Sequence, residues 1–145
     1  MEIPNKKLML FFCILDFGKG SKALKLSKEL GAIGGTIFLG KGTVKHELLN
    51  TLGILDTRKE IFFTIIDEEL EEKFYEKMSK KFHLNKAQQG IAFSMPLNYY
   101  LKVTGPKYRS NFEKKGVNDM GYESIFVIVD KGSLDDVVEA AQSAG

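Results

Sequence analysis

The chain has 145 residues, room for one domain or one and a half small ones, and its 43% apolar content with eleven Phe suffices for a core without cross-links. Its 21 basic and 19 acidic side chains leave a formal charge of +2, a balance that argues against nucleic acid as the main partner. The longest apolar run, residues 8–15, is far below the roughly 20 residues of a membrane span and lacks a small-residue cleavage site, while a lone cysteine points to a reducing, cytoplasmic setting.

Residues 8–15 form a short apolar run ahead of Gly18 and Gly20, which reads as a buried strand with Cys13 serving as packing. Residues 19–30 read as a helix, with Ala23, Leu24, Ser27 and Leu30 on one face and Lys22, Lys25 and Lys28 in water. Gly31 stops it. A second strand runs over 34–39 and is released at Gly40-Lys41-Gly42, and 61–66 is a third, six residues of strong strand preference. Asp67 reads as the N-cap of a second helix, with Glu68 to Glu72 crowding its start, Lys77, Lys80 and Lys81 its end, and Leu70, Phe74, Met78 and Phe82 forming a buried stripe. In the fourth strand Ile91, Phe93 and Met95 alternate with Ala92 and Ser94, and Pro96 is expected to end it.

The order is strand, helix, strand, strand, helix, strand. The expected fold class is therefore α+β, a ferredoxin-like βαββαβ sandwich with a four-stranded antiparallel sheet and both helices on one face. Residues 97–119 carry five basic and two acidic side chains and few aliphatics after Val103. They read as a loop or linker with a short extended or helical piece near 99–103.

Beyond it a pattern returns. Residues 125–145 align without gaps on 11–31 at a constant offset of 114, with five identities in 21 pairs, Asp16/Asp130, Gly18/Gly132 and Gly31/Gly145 among them. This predicts a C-terminal strand–helix unit repeating the first βα, with a strand over 124–130 and a helix over 135–144; either that strand joins another sheet, in this chain or a partner, or the chain is cut short. The expected organisation is a domain at 1–105, a linker at 106–121 and the start of a second copy at 122–145.

Gly34-Gly35-Thr36-Ile37 leading into Gly40-Lys41-Gly42, a long loop, then Lys59 to Phe63 and an acidic-start helix resembles the nitrogen-regulatory PII signalling family, over about residues 7–105. The tandem form is similar to longer PII-like proteins. The resemblance implies a non-enzymatic signal-transduction protein, cytoplasmic and trimeric, that binds a small effector between subunits. It implies ATP, ADP or another small nucleotide as that effector, and nitrogen metabolism or transport as the setting, with a transporter or enzyme as target. The long T-loop falls at 42–58, where Val44, His46, Leu48, Leu49 and Leu52 are the candidates for partner docking; the leucine spacing equally suits a short helix packed on its own domain. For the effector the resemblance selects Gly35, Thr36, Gly40, Lys41, Gly42, Lys86, Gln88, Gln89, Gly90 and Lys102, because glycine backbones approach phosphates and lysines neutralise them. Thr104-Gly105 matches the family's closing pair, but Leu101 and Val103 stand where its arginines are expected.

Two other readings compete. Phe11, Phe12, Phe62 and Phe63 invite an RNA-binding module, although adjacent strand residues face opposite ways and the Lys/Arg-Gly-aromatic motif is missing. A metal-responsive binding module is the other. No enzyme motif appears, and His46 and His83 have no Asp, Glu or Cys at ligand spacing, so no catalytic or metal residue is assigned.

Overall fold

A computed structural model of the protein describes residues 7–32, 34–43, 56–100, 108–109, 125–130 and 132–145. Contacts divide the chain into two units, Met1–Glu113 and Lys114–Gly145. The first is α+β, a four-stranded antiparallel sheet with two helices. Strand β1 (Leu8–Asp16) leads to helix α1 (Gly20–Leu30), then β2 (Thr36–Thr43) and β3 (Asp56–Asp67), a 3₁₀ turn at Glu68–Leu70, helix α2 (Glu71–Phe82) and β4 (Ile91–Leu97). The strands lie in the order β2-β3-β1-β4, every neighbour antiparallel.

Period-two alternation sorts the side chains of β1 and β3 between the two faces. Met9, Phe11, Cys13 and Leu15 of β1 join Phe62 and Ile66 of β3 under the helices, which contribute Ala23 and Leu30 from α1 and Phe74, Met78 and Phe82 from α2. Phe11 is fully buried with its ring edge-on to Phe74 at 5.4 Å and to Tyr75 at 5.1 Å. Ser27 is buried in α1 and donates its hydroxyl to the Leu24 carbonyl at 2.8 Å. The Tyr75 and Ser94 hydroxyls meet at 2.9 Å, and Ser94 also donates to Glu71, tying α2 to β4.

Among the described residues, no helix of this unit lies on the opposite sheet face. Leu10, Phe12 and Phe63 cluster there with Ile61, Ile65 and Met95 packed around them. Four rings form a row across all four strands: Phe38 meets Phe63 at 5.7 Å, Phe63 meets Phe12 at 5.5 Å, and Phe12 meets Phe93 at 4.8 Å. Phe12, Phe38 and Phe63 thus share one side of the sheet, since Phe12 sits opposite Phe63 and Phe38 opposite Ile61.

Three boundaries depart from the sequence reading. Residues 42–43 and 56–58, expected at the two ends of the loop, belong to the sheet instead, because β2 and β3 continue pairing out to Thr43 opposite Asp56; sequential antiparallel strands extend their ladder until a turn stops it. Pro96 does not end β4 but lies within it, opposite Met9. As the sheet's edge strand, β4 tolerates a residue with no N–H to donate. The first turn after Asp67 is 3₁₀ rather than α, and Asp67 makes no side-chain cap. Within 97–119, β5 (Tyr99–Tyr100) pairs with β6 (Tyr108–Arg109).

In the second unit helix α3 (Leu134–Ala144) forms, but the strand expected at 124–130 does not: residues 125–130 have no strand conformation. Ile125 is 86% exposed and Val129 49%. A strand is defined by its ladder, and no other strand is described in this unit. The local geometry nevertheless parallels that of the first unit. The Lys19 N–H donates to the Asp16 carbonyl at 3.2 Å, and the Ser133 N–H to the Asp130 carbonyl at 3.2 Å. Gly18 and Gly132 both have positive φ, 88° and 103°, and each turn opens a helix of 11 residues that closes on a left-handed glycine, Gly31 or Gly145.

Candidate functional site

The described effector candidates gather at two places. Thr36, Gly40, Lys41 and Gly42 belong to β2, with Gly35 just ahead of it, and Lys86, Gln88, Gln89 and Gly90 belong to the turn before β4. These are the opposite edges of the sheet, with β3 and β1 between them. Three strand spacings put them roughly 14 Å apart, so one copy does not bring them together. Both groups do reach the same end of the sheet. Gly40 lies opposite Lys59, Lys59 opposite Asp16, and Gly90 precedes Ile91, the partner of Ile14. Lys102 and the loop candidates Val44, His46, Leu48, Leu49 and Leu52 lie outside the described residues.

Packing accounts for two of the glycines. A Cβ at Gly35 would come within 2.5 Å of the Phe62 ring. Gly90 has φ 131°, and a Cβ there would collide with the Ile14 carbonyl of β1. The turn leading to Gly90 is equally constrained: His83 closes α2 in the left-handed region at φ 56°, and Gln88 has φ 65°. Left-handed backbone is costly without glycine and persists where its surroundings hold it. Here the Leu84 N–H donates to the Ser79 carbonyl at 3.1 Å and the Lys86 N–H to the His83 carbonyl at 2.9 Å.

Between the two edges sits a polar cluster that sequence reasoning did not assign to the site. Asp16, at the end of β1, accepts the Lys59 ammonium at 2.6 Å on Oδ1 and the Lys19 ammonium at 2.9 Å on Oδ2. The Lys59 hydrogen bond, then that from Lys19, holds the Asp16 carboxyl below its usual range, against a partial burial that works the other way. Lys19 also reaches the Gln89 amide oxygen at 3.5 Å, linking the cluster to the β4 turn. Glu60 accepts the Gly20 N–H at 2.5 Å, so a carboxylate from β3 satisfies the start of α1. Arg58 lies over the Phe17 ring, 3.9 Å from its centre. The available signal was Asp16 itself, which recurs as Asp130 in the repeat.

Cys13 is fully buried, and that burial pushes its thiol up to about 12. Of the rings in that row, Phe12 and Phe63 are only 5% and 8% exposed, and Phe12 is stacked on Phe93; base stacking needs a free face. Among the described residues no group of three or more His, Cys, Asp or Glu is placed to hold a metal ion, and no helix is long and apolar enough to cross a membrane. No protein-family model and no curated protein matches the sequence.

Proposed function

We propose that the chain is a PII-like signalling protein of ferredoxin-like fold, which assembles through its open sheet face and takes a small effector, such as ATP or ADP, between copies. The observation that carries this reading is the division of the effector candidates between the β2 and β4 edges at one end of the sheet. One chain cannot close a site from them; the β2 edge of one copy beside the β4 edge of the next can.

The open face supports the same reading. Phe38, Phe93 and Ile91 are 42%, 38% and 57% exposed around a buried Phe12–Phe63 centre, and a sheet normally covers both faces. The matching turns at Asp16 and Asp130 support a second copy beginning near residue 125, and the strand order β2-β3-β1-β4 supports two split βαβ units. The protein works as a cytoplasmic regulator of a target protein rather than as a catalyst, and the segment between β2 and β3 is the part that meets the target.

Light scattering combined with calorimetric titration of ADP tests this. A trimer that binds ADP, and loses that binding when Lys41 is changed to Ala, is the expected result. A monomer at micromolar concentration overturns the proposal.

A further inference from the structure

On the helix side of the sheet, α1 begins where α2 ends, and a cavity of about 330 Å³ opens there, lined by Lys19, Lys22, Lys81, Phe82, His83 and Gln89. We infer that this cavity is a binding site for a small ligand carrying two or more phosphoryl groups; it borders the β4-edge turn of the inter-copy cleft proposed above at Gln89 but draws its charge from Lys19, Lys22 and Lys81 of one copy.

The lining is one-sided in charge. Three lysines line it from two places in the chain, the start of α1 and the last turn of α2, with no carboxylate among the lining residues. Among the described residues, only Lys19 of the three has an ion-pair partner, Asp16, which it shares with Lys59. Lys22 and Lys81 have no ion-pair partner among the described residues. Converging like charges repel, and a polyanion placed among them removes that repulsion while gaining charge-assisted hydrogen bonds. The size also suits a small molecule, since ligand cavities start at about 300 Å³.

The walls are shaped as well as charged. Phe82, 4% exposed, gives an apolar floor fixed in the core. His83 and Gln88, the two non-glycine residues with positive φ among the described residues, bend the wall next to it. That bend sets His83 and Gln89 in the cavity wall alongside the lysines. The N–H of Gly20 at the start of α1 is taken by Glu60, so recognition falls to side chains rather than to the helix end. Ammonium groups act as point charges toward phosphate and need no planar partner, which favours phosphoryl groups over a single carboxylate.

The test is an NMR titration of the full chain with inorganic pyrophosphate at about 20 mM salt, where exposed charges are weakly screened. Saturable shifts of the amides around residues 19–22 and 81–89 are expected, with affinity falling about tenfold in Lys22→Gln/Lys81→Gln, as losing charged hydrogen bonds implies. Lys73→Gln, an exposed lysine near the start of α2 and outside the cavity lining, should leave that affinity unchanged. Both cavity lysines are exposed, and the single Lys81→Gln variant reads the same loss if the double variant does not fold. No saturable shift, or an affinity indifferent to Lys81 but sensitive to Lys73, overturns the inference. Either failure leaves the ADP and oligomer measurements standing.

Discussion

Phe12 and Phe93 lie ring over ring, 4.8 Å apart and 9° from parallel, on adjacent strands of the sheet face opposite α1 and α2. One residue earlier, Phe11 points the other way and is fully buried beneath α2. This contrast separates assembly from folding. Phe93→Asp should convert an assembled protein to monomers by light scattering while leaving far-ultraviolet circular dichroism intact, because Phe93 is 38% exposed in the single chain. Phe11→Ala, by the same measurements, should cost about 3–5 kcal/mol and lose the fold.

Gly90 is the position least tolerant of a side chain. Gly90→Ala must place a methyl group against the Ile14 carbonyl at φ 131°. Urea denaturation should show a loss of at least about 2 kcal/mol, combining backbone strain with the clash. Gly34, with nothing within 4 Å of a Cβ and no positive φ, should accept alanine with little change.

Cys13 should resist thiol reagents in the native protein and react at once in denaturant. Its pH dependence follows from the direction of its shift. The folded thiol stays protonated up to about 12, whereas an unfolded cysteine ionises near 8.5. Between those values the unfolded chain binds fewer protons, so stability falls as pH rises. Cys13→Ala should flatten that part of the curve, as measured by thermal melting between about pH 8 and 11.

Asp16 gives the opposite slope at the acid end. Its folded carboxyl is held below its ordinary value, first by the Lys59 hydrogen bond. Its contribution is therefore complete above the unfolded value, near 3.9, and lost as pH falls through the lowered folded one. Because the side chain is 42% exposed, Asp16→Asn should cost less than about 1 kcal/mol in stability at neutral pH, read by chemical denaturation.

Where a residue's environment is set by its neighbours in the chain, the sequence was readable. The stripe of Phe74, Met78 and Phe82 is buried as its four-residue spacing implies, and Ile91 to Met95 form an edge strand by alternation. Long-range geometry was not readable. That Phe12, Phe38, Phe63 and Phe93 would align in one row depends on register between strands, which alternation within a strand does not specify. The effector candidates were named from glycines and lysines along the chain, but their division between opposite edges depends on strand order. The Asp16–Lys59–Lys19 cluster joins positions up to 43 residues apart, and only folding brings them together.

The second unit's helix is complete while residues 125–130 have no strand conformation. Turn and helix there need only their own sequence, from the Asp130 carbonyl to the glycine that closes the last turn. The apolar run before them needs company from elsewhere. Helix formation is a fast local event and strand pairing a slower, non-local one. During folding, the Asp-x-Gly turn and its helix can therefore act as a preformed clasp on which β1, and any later strand built the same way, docks last.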